Sequence, residues 1–329
     1  MRRSRSYRRT ASRSRRVRNR VIILDKSAFE CISSEEAIWL GVLYFPAMVP
    51  TFVFEILADL AKPNAKAAPS RFVEKLARKL GGSGPPINKN YRELCAGELM
   101  GLGKIPMTGQ VIADGMEYGR DSNGETCAIL GVQPLNEAIM RWADGYFSAA
   151  DCDLALRWRS ATSKLNLLDF LAELRRQKIN LPRPRSDDEL AATVDGVLAN
   201  VESHGPWLSY FLDQLQLTEP HRRAVMRRWN GLERGDLREF APYTFFCLRA
   251  LLFVLILWVH KMTKLEASNM IDVQYLYYLP FTQVFSSRDG LHRRVAPHLL
   301  RGDQQFLWGD DLKSQLGEYG KRRRREERG

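Results

Sequence analysis

Residues Val21-Ile22-Ile23-Leu24 are four consecutive apolar side chains, three of them β-branched, and the run stops at Asp25. Successive side chains of a strand point to opposite faces, so a run with no polar member needs cover on both faces. That is the situation of a strand in the middle of a parallel sheet flanked by helices. In such sheets the carboxyl ends of the strands form the ligand-binding edge. Asp25 is therefore either a functional acid at that edge or an ordinary turn aspartate.

The pattern downstream supports an α/β layout. Ser33-Ser34-Glu35-Glu36 has the spacing of a capping box and predicts a helix start. A second apolar stretch, 43–49, leads to Pro50, a residue suited to a first helical turn. Over 51–62, Phe52, Ile56 and Leu60 share one stripe, while Glu55 and Asp59, four apart, share another face. After Pro63 the character changes. An Ala/Pro/Lys linker covers 64–70, and a Gly/Pro-rich break covers 81–86. A hairpin is expected at 118–131 around Ser122-Asn123-Gly124. From about 135 to 240 the pattern is helical, including 154–174 and 189–201, with helix-start signals at Ser148 and Ser186. No fixed-period repeat runs through it. A helix at 243–260, another at 269–279, a strand at 283–286, a helix at 291–300 and a strand at 305–308 then complete an alternating layout. The expected organisation is a basic disordered tail (1–19), an N-terminal part of an α/β domain (20–62), a mostly helical insertion (63–240), the C-terminal part of that domain (241–312), and a charged tail (313–329).

The formal net charge of +12 belongs to the ends of the chain. Residues 1–20 carry ten arginines and no acid, and 321–329 carry six basic residues against Glu326 and Glu327. The body between them is close to neutral, so its fold gives no general affinity for polyanions. The ends either add a salt-sensitive attraction to nucleic acid or simply solubilise. The first twenty residues also have the composition of a mitochondrial presequence, but they run straight into the first strand.

Five cysteines without a CxxC pair favour free thiols in a reducing, cytoplasmic compartment, and five scattered histidines without HExxH make a zinc site a poor expectation. The apolar run 245–259 contains Arg249 and is shorter than the roughly 20 residues that span a bilayer. It reads as a helix buried against the sheet, with no membrane partner.

Three further acids stand out. On a helix, Asp272 shares a stripe with Leu276 and Leu279, which turns a carboxylate toward the core and calls for a cation. That cation is either a metal or an arginine such as Arg249. Asp289 follows a strand in Ser-Arg-Asp-Gly, also a common turn sequence. Glu55 lies early in its helix, where the macrodipole favours an anion, or on a solvated face. Asp59 could join through a water but reads as a solvated helix-face acid. His292 reads as a surface histidine, Tyr275, Tyr277 and Tyr278 as packing residues, and Arg222, Arg223, Arg227 and Arg228 beside Trp229 as a solvated basic face. Gly101-Leu102-Gly103-Lys104 lacks the spacing of a phosphate-binding loop.

Taken in order, Val21–Ser27, Phe52–Leu57, and Asp272–Leu276 leading through Val284-Phe285-Ser286 to Asp289 resemble the PIN-like domain nucleases. The resemblance implies a three-layer α/β/α fold with a central parallel sheet, here interrupted by the insertion. It implies that Asp25, Glu55, Asp272 and Asp289 hold Mg²⁺ or Mn²⁺, and that Ser27 and Ser287 orient the site. It further implies hydrolysis of phosphodiester bonds to a 5′-phosphate and a 3′-hydroxyl, with RNA rather than DNA as substrate. Four clustered carboxylates repel, by roughly 4 kcal/mol for a pair 4 Å apart at an effective dielectric near 20, and so need protons or cations. Oxygen-only ligands suit those two ions. The alternative is a catalytically silent PIN-like binding or scaffold protein.

Overall fold

The computed structural model describes residues 15–16, 20–62, 68–81, 84–120, 126–130, 133–163, 176, 181–186, 188–232, 235–263 and 269–328. Most of the basic N-terminal tail, the linker at 64–67, the tip of the expected hairpin and the second half of the expected 154–174 helix lie outside them.

Four strands make one all-parallel sheet in the order β3-β2-β6-β7, where β2 is Val21–Leu24, β3 Phe45–Ala47, β6 Val284–Ser287 and β7 Gln305–Trp308. All four residues of β2 are buried, as its composition requires. It is a central strand, pairing Ile22 with Val284 and Ile23 with Phe285 across most of the chain. From β2 the chain moves outward to β3, whereas from β6 it moves outward the other way, to β7. Connections that leave two neighbouring strands in opposite directions open a crevice at their carboxyl ends. Here that crevice lies between the ends of β2 and β6, where Asp25 and Asp289 stand.

Helices supply the cover. Between β2 and β3 run α1 (Lys26–Cys31) and α2 (Ser34–Leu43), the latter opened by the expected capping box between Ser33 and Glu36. The helix α3 (Pro50–Ala58) starts on its proline and continues into a 3₁₀ turn, Asp59–Ala61. The middle segment holds α4 (Pro69–Lys79), α5 (Tyr91–Leu99), α6 (Pro134–Ala143), α7 (Ala149–Ser163), α8 (Asp188–Ala199), α9 (His204–Gln214), α10 (Glu219–Asn230) and α11 (Leu237–Phe240). It also holds the hairpin β4 (Met116–Arg120) and β5 (Thr126–Leu130), to which β1 (Arg15–Arg16) of the N-terminal tail adds a third, antiparallel strand. Reciprocal bonds between Ser148 and Asp151 open α7.

The apolar helix α12 (Pro242–Val259) is 18 residues long, close to the expected 243–260, and by length and composition alone could cross a membrane. In this fold it is an interior helix, its residues Leu251–Leu257 essentially without exposure and packed by α5, α8, α11 and the following α13 (Asn269–Leu276). Arg249 leaves this core to pair with Asp195 (2.8 Å) and the His298 carbonyl (2.9 Å). One continuous apolar core includes residues of the sheet, of the middle segment and of α12, so the insertion is not a separate lobe.

The charged C-terminus is also structured. After α14 (Gly290–Val295), α15 (Gly309–Glu326) buries Leu312 and Leu316 against α1 and α2, with Asp310 and Asp311 in its first turn. The basic residues that made 313–329 look like a tail occupy one face and the end of that helix. Spacing of Leu312 and Leu316 by one turn was the signal for it.

Candidate active site

Asp25 leaves β2 and caps α1, its Oδ1 accepting from the Ala28 amide at 2.8 Å. Ser27 Oγ donates to both its oxygens at 2.9 Å, and Ser287 Oγ donates to Oδ2 at 2.5 Å. Asp289 caps α14 in the same manner, its Oδ1 accepting from the amides of Leu291 (2.7 Å) and His292. Glu55 projects from the second turn of α3 and receives a short hydrogen bond from the Tyr275 hydroxyl of α13. Asp272 opens α13, and its carboxylate receives no hydrogen bond or ion pair among the described residues. Two helix N-caps and two helices thus bring four acids toward the crevice between β2 and β6.

His292 joins them. It is fully buried, not the surface residue its polarity suggested, because Leu291, His292 and Val295 form the inward stripe of α14. Its Nε2 lies 2.8 Å from the Asp272 carbonyl oxygen, and its Nδ1 lies 2.8 Å from Ser287 Oγ and 3.4 Å from Asp25 Oδ2. A carbonyl only accepts, so Nε2 carries a hydrogen. With Ser287 donating to Asp25 and accepting from the Asp289 amide, Nδ1 also faces an acceptor, an arrangement that favours the imidazolium.

The acid–base balance follows. Burial disfavours the charged form of Asp25, but the hydrogen bond and charge of His292, with Ser287 and Ala28, outweigh it and hold the carboxyl below its ordinary value. Burial also disfavours His292⁺, yet Asp25, Asp272 and Asp289 raise that imidazole to about 9. Glu55 is pushed up to about 7 by burial, only partly countered by Tyr275 and Lys26. The macrodipole expected to favour its anion is outweighed. Asp272 is likewise pushed to about 7, first by burial and then by the charges of Asp289, Glu55 and Asp25, with His292 opposing. Asp272 is therefore within electrostatic reach of the other three acids, and Glu55 of Asp25.

Arg249 faces away and is not the partner of Asp272. Asp59 is buried, not solvated, and is clasped by Lys26 (2.6 Å) and Lys62 (3.3 Å). On α10, Trp229 is buried, Arg222 pairs with Asp213 and Arg228 donates to the Leu99 carbonyl at 2.8 Å, while Arg223 and Arg227 are exposed, as a solvated face requires. Tyr277 and Tyr278 are buried packing residues, as expected, while Tyr275 adds its bond to Glu55. The four cysteines whose side chains are described are free.

The larger of the two cavities that flank this region, about 470 Å³ between α2, β3 and α4, is mostly apolar and carries none of the four acids. Among the described residues no three His, Cys, Asp or Glu side chains are grouped so as to hold a metal ion. The donor chemistry nevertheless fits a hard divalent cation. All the acids offer oxygen, and Asp272, Glu55 Oε1 and Asp289 Oδ2 have no donor facing them among the described residues. Mg²⁺ commonly binds through one or two carboxylates and completes its shell with water and substrate phosphate, so a closed protein cage is not required.

No family model, no curated protein and no solved structure matches this chain.

Proposed function

We propose that the chain is a PIN-like, Mg²⁺- or Mn²⁺-dependent nuclease that hydrolyses phosphodiester bonds, of RNA in preference to DNA. The observation that carries this reading is the meeting of Asp25, Glu55, Asp272 and Asp289 at one switch-point crevice, with Glu55 and Asp272 both pushed to about 7. Such crowding is costly unless a cation or protons relieve it, and His292 supplies only one positive charge.

Glu55, Asp272 and Asp289 would hold the ion, which would lower the pKa of a bound water and stabilise the leaving oxygen. Asp25 stays ionised through His292, Ser287 and Ser27, and so orients the cluster rather than exchanging protons. Glu55 Oε2 shares the Tyr275 hydrogen, leaving Oε1 as the oxygen that would face the ion. His292 fixes the start of α13 through the Asp272 carbonyl, and with it the carboxylate beside the crevice.

The second reading, a silent binding protein of the same fold, draws on the saturation of Asp25 by protein donors and on the open grouping of the acids. Incubation with labelled single-stranded and structured RNA and DNA, in Mg²⁺, Mn²⁺ or EDTA, separates the two. Metal-dependent fragments ending in 5′-phosphate and 3′-hydroxyl are expected. Fragments that persist in EDTA, or no cleavage by a folded protein in either metal, reject the nuclease.

A further inference from the structure

Beside Glu55 the surface opens into a cleft of about 280 Å³ whose walls include Lys26, Lys62, Trp158, Arg159 and Ile271, the residue preceding Asp272. Two of these, Trp158 and Arg159, come from α7 of the middle segment, which packs against α3 and the 3₁₀ turn behind it. The cleft therefore shares a wall with the acid cluster but is completed by a part of the chain that supplies none of the acids.

Its chemistry is distinctive. Lys26 and Lys62 both converge on the single carboxylate of Asp59, at 2.6 and 3.3 Å. Lys26 also reaches Glu30 at 3.5 Å, whereas Lys62 is about half exposed. Arg159 forms no ion pair among the described residues. Basic charge is thus gathered next to the acid cluster, where Lys26 favours the anion of Glu55. Trp158 is half-buried and lies nearly flat on Phe54, ring centroids 5.0 Å apart at 23°. A ring clamped in one plane and lining a cleft is a stacking platform prepared in advance. Aromatic platforms flanked by basic side chains are how proteins hold unpaired bases with their phosphates. The volume of about 280 Å³, just under the range of small-ligand pockets, about 300–1,000 Å³, is on the scale of one nucleotide.

We infer that this cleft is the subsite for one unpaired nucleotide adjoining the scissile phosphodiester, with the base on Trp158 and the neighbouring phosphate met by Arg159 and Lys62. The inference rests on the nuclease reading for what is cut, and it assigns to the middle segment the choice of single strands over duplex. A phosphate drawn to Arg159 and Lys62 would place the next one along the strand beside Glu55 and Asp272.

The test uses the full chain and a fluorescently labelled single-stranded RNA, with a hairpin duplex of matched length, in EDTA at fixed salt. Trp158→Leu and Arg159→Gln should each weaken single-strand binding, the former by roughly fivefold to a hundredfold, and leave duplex binding within about twofold. Trp158→Phe, which keeps an aromatic face, should recover most of the loss. In cleavage assays KM should rise with kcat little changed. Unchanged single-strand affinity in variants with parental melting temperatures overturns the subsite, as does an equal loss for single strand and duplex. If the selective loss is seen but no metal supports cleavage, the subsite stands and the nuclease reading falls. If cleavage occurs with KM insensitive to both variants, the nuclease reading stands and the subsite falls.

Discussion

Ser287 Oγ donates to Asp25 Oδ2 at 2.5 Å, although 262 positions of chain separate the two residues. The same oxygen accepts from the Asp289 amide at 2.9 Å and meets His292 Nδ1 at 2.8 Å. One hydroxyl thus ties together the ends of β2 and β6 and the start of α14. Replacing it strands a buried acceptor and two donors at once. Ser287→Ala should cost roughly 2–4 kcal/mol, read by denaturant unfolding. Ser27→Ala, which leaves Asp25 with Ser287 and Ala28, should cost less. Equal costs would show that the relay has no special part.

A second expectation concerns pH. His292 is raised to about 9 from an ordinary value near 6.5. Its contribution is fully present below pH 6.5 and is lost as pH climbs through 9, at most about 3 kcal/mol. In EDTA, unfolding free energy should fall between pH 7 and 10, and His292→Gln should flatten that limb. A histidine pKa near 6.5 by NMR at this position would contradict the imidazolium that the ring's partners favour.

Asp272 and Glu55 act over a lower window. Both carboxyls titrate near 7 in the folded protein and near 4 when unfolded. The folded state therefore holds extra protons between those values, and metal-free stability declines from about pH 4 to 7. Asp272→Asn removes this penalty. In EDTA the variant should equal the parent at pH 4 and exceed it at pH 8 by about 1–2 kcal/mol, discounted because the carboxylate is partly solvated. The variant should also lose most of the stabilisation Mn²⁺ gives the parent, roughly 1.4 kcal/mol at ten times the dissociation constant. A variant less stable than the parent at pH 8, but still normally stabilised by Mn²⁺, removes Asp272 from the site.

The C-terminal helix gives a fourth expectation. Leu316 of α15 has no exposure, whereas Arg325 is exposed. Leu316→Ala should cost about 2–5 kcal/mol and Arg325→Ala within about 0.5 kcal/mol. Similar, small effects at both positions would return this segment to the status of a tail.

What the sequence disclosed depended on how local the cause was. Val21–Leu24 can be satisfied in only one kind of place, so the buried parallel strand was legible, as were Asp25 at its end and the capping box at Ser33. Asp272 was found because a carboxylate on an apolar stripe is anomalous. His292 was missed because a lone histidine after an Asp-Gly pair has an ordinary surface reading. Only the packing of α14 on α13 reveals that it faces the Asp272 carbonyl. Asp59 was misjudged for a related reason. Its partners Lys26 and Lys62 sit on either side of it in sequence, and nothing local shows that α1 folds back onto that turn. The bilayer test applied to 245–259 measured the apolar run without the polar turn that begins α12, and so came out short.

The order of strands in the sheet has a bearing on how the molecule is made. A ribosome adding about 5–20 residues each second delivers Asp25 long before Ser287 and Asp289, by roughly 13–50 s at those rates. Until then β2 has β3 on one edge and nothing on the other, and the acid cluster is incomplete. Chains stalled at residue 280 should accordingly be cut by protease near β2, while chains stalled far enough downstream for β7 to emerge should resist; equal resistance would show that β2 is secured without its late partners. On the nuclease proposal, the site stays incomplete until Asp289 has emerged from the ribosome.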